Sequence, residues 1–192
     1  MTALPRIQPV ELTANNRSLR EELDRVTEDY ADSDERLAKQ IGLIKSLAAK
    51  YRAPISLVRE MKLGELQFNC YQHSFCLTDV ESVSQVMRAY QYIFPGREFV
   101  QHLIATRLRQ IAVSEAQDGD HVLYGGSQIE HAGTIVQDSV ESKWGKGHLW
   151  RHGLYDLPLR YGDTVSLLRR ISKEDSIQAF LEYAKSKGTV RD

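Results

Sequence analysis

The chain contains few cysteines. Only two occur among its 192 residues, Cys70 and Cys76. They lie in a segment whose residue pattern predicts a helix, where their side chains would point in different directions, so we do not expect a structural disulfide. Unpaired cysteines are typical of the reducing cytosol. The sequence therefore predicts two free thiols.

Long apolar runs are also missing. No stretch of about 18 apolar residues occurs, so the sequence predicts no membrane-spanning helix. The first segment, MTALPRIQPVELTANN, has one arginine, two prolines and no apolar run of signal-peptide length. We expect a protein made in the cytosol that is either cytoplasmic or exported without a cleavable signal peptide.

Charge of one sign is not in excess. Lys and Arg total 25 against 26 for Asp and Glu, so no global field favours nucleic acid or an anionic membrane as a partner. The content of 42% hydrophobic and 27% charged residues is that of a soluble globular protein. The length predicts one domain with a lead-in: a flexible N-terminus over 1–17, a helical hairpin over 18–53 and a catalytic domain over 54–192.

Helical spacing dominates the first half of the chain. Ser18 and Glu21 have the spacing of a capping box at the start of a first helix. A second helix, with its apolar residues on one face, should follow from Ser33 to Tyr51. Further helices are predicted over 69–77, 78–90, 99–113 and 172–188.

The pattern changes after the turn signal Asp118-Gly119-Asp120. Four short runs rich in β-branched and aromatic residues follow: HVLYGG, HAGTIVQ, SVESKWG and DTVSLLRRI. The sequence therefore predicts an α+β fold, with N-terminal helices, a small antiparallel sheet of about four strands and a C-terminal helix.

Cys70 and His131 form the candidate catalytic pair. Cys70 begins a predicted helix, and a helix N-terminus favours thiolate over thiol. His131 begins a predicted strand, and a nearby imidazole would lower the thiol pKa further and pass a proton to a leaving amine. The backbone N–H of Cys70 would donate to an oxyanion. Candidate side chains for the same role are Tyr51, Gln67 and Gln72.

Several motifs resemble one enzyme family. They are Asn69-Cys70-Tyr71, the GDHVLY strand from Gly119, the EHAG segment from Glu130, ESKWG from Glu141, and His152 with Tyr161-Gly162-Asp163. Over roughly residues 66 to 170, the chain resembles the NlpC-type branch of papain-like cysteine peptidases, including an uncharacterised bacterial subgroup. The resemblance implies a papain-like fold, a cysteine nucleophile, a histidine base and a peptide or peptidoglycan substrate, with no cofactor.

The same resemblance implies a third residue, polar and located on the next strand, that orients the imidazole. Glu141 is the favoured candidate and His152 the second, with Ser142 also possible. Because strand side chains alternate, Glu141 and Lys143 share one face while Ser142 takes the other, so only one set can face His131.

Structural roles are the alternative for each of these residues. A free cysteine is often core packing, as we expect for Cys76, and His131 could be a strand-end histidine bonded to the backbone. The spacing Cys70-x2-His73-x2-Cys76 lacks the paired signature of a zinc site. No metal is therefore expected.

Two other functions stay open on sequence grounds. The chain could be a non-catalytic interaction protein that binds a partner through the charged face of its N-terminal helices, formed by Arg20, Glu21, Glu22, Asp24 and Arg25. The same cysteine could alternatively serve a deamidase or an acyltransferase. A toxin or effector role is compatible with each enzymatic reading.

Overall fold

The fold is α+β. The computed structural model describes residues 13–28, 33–63, 68–90 and 92–188. Within these ranges the helices are α1 (Ala14–Glu28), α2 (Asp34–Tyr51), α3 (Cys70–Ser74), α4 (Glu81–Ala89), α5 (Arg97–Thr106) and α6 (Lys173–Gly188). The strands are β1 (Ser56–Arg59), β2 (Gln110–Ile111), β3 (His121–Gly125), β4 (Ile129–Val136), β5 (Ser139–Lys143), β6 (Leu149–His152) and β7 (Thr164–Leu168). No helix in these ranges is long and apolar enough to cross a membrane.

All seven strands form one antiparallel sheet in the order β1-β6-β5-β4-β3-β7-β2. The prediction of about four strands is therefore wrong. The four predicted strands correspond to β3, β4, β5 and β7, while β1, β2 and β6 were missed. These three have two to four residues each, which is too short to display a clear alternation, so only pairing with a neighbour defines them.

Helices cover both faces of the sheet. On one face, residues of α3, α4, α5 and α6 share a core with Leu123 and Ala132. On the other face, residues of α1 and α2 share a core with Val122, Tyr124 and Trp150. Successive side chains of β3 point to opposite faces of the sheet, so Leu123 packs in the first core while Val122 and Tyr124 pack in the second.

The capping residues in the sequence predicted the start of α2 correctly but not the start of α1. Ser33 caps α2 as its side chain accepts from the backbone N–H of Arg36 at 3.2 Å, so the predicted start is confirmed. Helix α1 begins at Ala14, so the predicted start at Ser18 is wrong. Helix α5 ends at Thr106 rather than near residue 113, because the chain turns there into β2. The predicted flexible segment 1–17 falls mostly outside the described residues.

Arg20 of α1 is fully buried. Its guanidinium lies 2.5 Å from the Asp163 carboxylate and donates to the carbonyl oxygens of Leu157 and Gly162 at 3.2 and 2.8 Å. A buried guanidinium is tolerated where its donors are paired. Arg20 thus fixes the short 3₁₀ turn Leu159–Tyr161 against α1.

Other charges on α1 also bind within the molecule. Asp24 pairs with Arg160 at 3.0 Å, and Glu22 pairs with Lys50 at 2.7 Å. Three of the five charges that suggested a partner surface, Arg20 included, therefore have intramolecular partners. The role of α1 as a partner-binding element stays a prediction.

Candidate active site at the end of the sheet

A cavity of about 530 Å³ lies where β4 begins and β5 ends. Its wall combines residues from several elements rather than from one loop. Helices α1 and α2 contribute Thr27, Glu28 and Gln40, and the rest of the chain contributes chiefly Asn69, Cys70, His131, Lys143, Arg160 and Tyr161. The structure therefore brings the predicted nucleophile and the predicted base to one cavity.

A reciprocal cap fixes the start of α3. The backbone N–H of Gln72 donates to Asn69 Oδ1 at 2.8 Å, and the Asn69 N–H donates to Gln72 Oε1 at 3.1 Å. The Asn69 amide also donates to the Pro95 carbonyl at 2.8 Å. Cys70 is thereby held as the first residue of the helix.

The Cys70 thiol is neutral at pH 7. Burial raises its pKa to about 11, and this effect outweighs hydrogen bonds from the backbone of Ala132, Tyr71 and Cys70 itself and the nearby charge of Lys143. The expected thiolate at a helix N-terminus is therefore not the resting state. Helix α3 has only five residues, and desolvation of the charged form dominates in such a site.

His131 is also neutral at pH 7. Burial, with the neighbouring charges of His152 and Arg160 next, holds its pKa well below the ordinary value of 6.5. Its ring stacks on Tyr161 with 3.8 Å between ring centroids, and no described residue lies within hydrogen-bonding distance of its Nε2. A neutral imidazole with an unoccupied nitrogen can accept a proton.

Cys70 and His131 reach the cavity from opposite faces of the sheet. His131 lies opposite Tyr124 in the β3–β4 ladder and so shares the face of α1 and α2. Cys70 packs on the other core, which contains Ala132. The two side chains share a cavity because the cavity lies at the end of the strands.

Glu141 lies on the α3 face of the sheet, away from His131. It is paired with Thr134, which contacts α3, and its carboxylate lies 3.5 Å from His73 and 3.2 Å from Arg151. These contacts, the His73 bond first, lower the pKa of the Glu141 carboxyl below its usual value. The structure does not bring Glu141 to the cavity.

His152 and Ser142 form a buried polar network. The His152 Nδ1 lies 2.8 Å from the Gly153 carbonyl and its Nε2 lies 2.8 Å from Ser142 Oγ. Since a carbonyl only accepts, Nδ1 carries the proton and Nε2 accepts from the Ser142 hydroxyl. Trp144 Nε1 donates to the same oxygen at 3.1 Å. With both ring nitrogens engaged, His152 has none left to orient His131.

Lys143 is a charged residue of the cavity for which the sequence predicted no role. Its side chain is 1% exposed, donates to the Gly145 carbonyl at 2.8 Å and has a pKa lowered to about 8, chiefly by burial and against the effect of Cys70. Strand alternation is the sequence signal that could have indicated its position. It puts Lys143 on the same face of the sheet as Glu141, which is the face that α3 covers. Lys143 supplies a cation beside the Cys70 thiol.

Lys143→Met should slow the alkylation of Cys70 by iodoacetamide about tenfold at pH 7, because the thiolate loses a neighbouring cation worth about one pKa unit. The difference should shrink as pH rises through about 8, where Lys143 loses its own charge. Mass spectrometry of the Cys70 peptide measures the rate. The exposed Lys45→Met on α2 is the matched control, and equal slowing in both variants, or a difference independent of pH, would contradict the electrostatic role.

The structure gives other roles to two of the three side chains that were predicted to donate to an oxyanion. The Gln72 side chain is used in the cap of α3, and the Tyr51 hydroxyl donates to Glu22 at 2.5 Å. Gln67 lies outside the described residues. Tyr161 lines the cavity instead. Its hydroxyl oxygen lies near donors of Arg160 and Gly145, and its own proton has no acceptor among the described residues.

Both cysteines are free thiols. Cys76 is exposed, so its prediction as a core residue is wrong; it follows the short helix α3 with a φ of 56°. In the described ranges, no group of three or more His, Cys, Asp and Glu side chains is placed to hold a metal ion.

Comparisons with known proteins give no relative. No family model, curated protein or solved structure matches the chain.

Proposed function

We propose that the chain is a thiol hydrolase that cleaves an amide bond, with Cys70 as nucleophile and His131 as base. The observation that carries this proposal is that both side chains line one cavity together with the buried cation Lys143. We further propose that the fold is a variant of the papain-like, NlpC-type arrangement. Its support is the order of a cysteine at the start of a helix followed by a histidine on an antiparallel strand.

The neutral resting states of Cys70 and His131 require general-base activation rather than a preformed thiolate–imidazolium pair. The Cys70 proton passes to neutral His131 as sulfur bonds to the substrate carbonyl carbon and the carbonyl electron pair moves to oxygen. The C–N bond then breaks, and the leaving amine takes the proton from the imidazolium. Water, deprotonated by His131, attacks the thioester to release the acid and restore the thiol. The Lys143 cation stabilises negative charge on sulfur during attack.

Reaction with p-nitrophenyl acetate tests this chemistry without knowledge of the natural substrate. We expect a burst of nitrophenolate and an acetyl group on Cys70, identified by peptide mass spectrometry. His131→Ala should slow acetylation by about 10²- to 10⁴-fold, the usual contribution of a positioned base, and added imidazole should restore part of the rate. Because the His131 pKa lies well below 6.5, acetylation should persist at pH 6.

Cys76→Ala is the matched control and should keep the full rate. Circular dichroism shows whether the His131 variant is folded, and rescue by imidazole separates a missing base from a misfolded protein. Acetylation confined to Cys76 or to lysines, or a Cys70 rate that does not depend on His131, would overturn the proposal and favour the non-catalytic alternative.

The resemblance to NlpC-type enzymes makes a peptide or peptidoglycan amide the first substrate class to test. Product mass separates the enzymatic alternatives. Hydrolysis of a backbone amide divides a peptide, deamidation of a side chain leaves it whole, and acyl transfer joins the acyl group to an added amine.

A further inference from the structure

Three residues that line the cavity each carry a buried polar atom that lacks a donor or an acceptor. Gln40 Oε1 of α2 and His131 Nε2 of β4 have no hydrogen-bond partner among the described residues. The Tyr161 oxygen in the 3₁₀ turn lies near donors of Arg160 and Gly145, but its proton has no acceptor there. The exposed fractions of these residues are 6%, 1% and 7%. A buried polar group without a partner costs about 1 to 3 kcal/mol. Convergence of three on one cavity indicates a site for a polar ligand.

The Gln40 carboxamide has a defined orientation. Its nitrogen donates to the Val26 carbonyl at 3.2 Å, and since a carbonyl only accepts, the other terminal atom must be the oxygen. That oxygen accepts and cannot donate. Gln40 therefore requires an N–H or O–H group from any ligand that satisfies it.

Gly147 leaves the space that the Gln40 side-chain oxygen occupies. A Cβ built on Gly147 would lie 2.5 Å from Gln40 Oε1 and 3.1 Å from the Trp144 carbonyl oxygen. A side chain at this position would displace the carboxamide. The absence of a side chain at residue 147 is thus part of the geometry that holds the oxygen beside the cavity, which both residues line.

Tyr161 offers the complementary group. Burial raises the pKa of its hydroxyl to about 12, so the phenol keeps its proton and can donate to a carbonyl oxygen. Gln40 and Tyr161 together present one acceptor and one donor to the cavity, which is the complement of an amide group.

We propose that Gln40 selects amides that carry an N–H group, because Gln40 Oε1 accepts a hydrogen bond from that group. The Tyr161 hydroxyl donates a hydrogen bond to the carbonyl oxygen of the same ligand. This inference rests on the proposed function, since it names the substrate feature that the same cavity recognises. An ester has the same shape but no N–H. It would leave Gln40 without a partner, and such a mismatch is costly in a buried site.

Binding to the Cys70→Ala protein tests the inference without any catalysis. N-Methylbenzamide and the near-isosteric methyl benzoate are titrated into the ¹⁵N-labelled variant, and the signals of the Gln40 side-chain amide and the Gly147 backbone are followed by NMR. We expect both signals to shift with the amide, and its affinity to exceed that of the ester about three- to tenfold, the value of one net hydrogen bond.

Adding Gln40→Met to Cys70→Ala should abolish the preference, because amide binding loses its acceptor while ester binding no longer leaves a carboxamide oxygen unpaired. Gly147→Ala should have the same effect by displacing the carboxamide, so the test survives if one variant fails to fold. The exposed Gln101→Met is the matched control and should keep the preference. Equal binding of amide and ester, or no shift of the Gln40 signal with either, overturns the inference. Failure of Cys70 acetylation in the wild-type protein would instead overturn the proposed function.

Discussion

Arg20→Met is expected to lower the free energy of unfolding by about 3 kcal/mol, because it leaves the backbone carbonyls of Leu157 and Gly162 without their donor. Methionine fills most of the arginine volume, so little of the loss comes from a cavity. The Asp163 side chain is 49% exposed and regains water when its partner is removed. Urea unfolding at pH 7 measures the change.

Arg17→Met is the matched control, since Arg17 lies on the exposed side of the same helix. Its effect should stay within about 0.5 kcal/mol, as for most surface substitutions. In the Arg20 variant, hydrogen exchange at the backbone amide of Tyr161 should also accelerate, because that turn is held to α1 through Arg20. Equal stability of the two variants would show that the buried guanidinium contributes nothing net.

Acid should destabilise the protein well above the pH at which most carboxylates titrate. Burial lowers the pKa of His121 and of His152 to about 4, while both would titrate near 6.5 in the unfolded chain. Between pH 4 and 6.5 the unfolded state binds more protons, so stability falls as pH falls. Each residue accounts for about 2 to 3 kcal/mol between pH 7 and 4.5, and His131 adds to the loss.

Urea unfolding at both pH values checks this prediction. His121→Gln should reduce the difference in unfolding free energy between pH 7 and 4.5 by about 2 to 3 kcal/mol. The exposed Gln101→Met, which removes no titratable group, serves as the control and should leave that difference unchanged. A pH dependence that survives the His121 substitution in full would show that the ring is accessible to protons in the native state.

Two groups that affect stability, Arg20 and His131, are connected through Tyr161 at the candidate site. Arg20 holds the turn that carries Tyr161, and Tyr161 stacks on His131. Burial of His131 costs stability in acid, yet the same burial keeps its imidazole neutral and able to accept a proton at pH 6 to 7. Stability and the proposed chemistry therefore depend on the same desolvation.

Some site residues were within reach of the sequence and others were not. Cys70 and His131 could be chosen because each stands at the predicted start of an element. Gln40 left a weaker signal, since it is a polar residue at helical spacing with the buried Leu37 and Ile44 of α2. The contact of α2 with the cavity has no local signature, because the lining partners of Gln40 are distant in the chain.

The prediction of a third catalytic residue shows the same limit. Alternation correctly separates Glu141 from Ser142, but it does not say which set shares a face with His131. Pairing decided that: Glu141 faces α3 and binds His73, while Ser142 lies with His152 on the other side.

By itself, the sequence determined the α+β class, the cap at Ser33, the helix that Cys70 begins and the four strands with clear alternation. These depend on periodicity and on contacts within a few residues. Only the tertiary structure decided the three short strands, the partners of the α1 charges and the neutral states of Cys70 and His131. Strand pairing, ion pairing and desolvation depend on which distant segments pack together, and no local pattern records that.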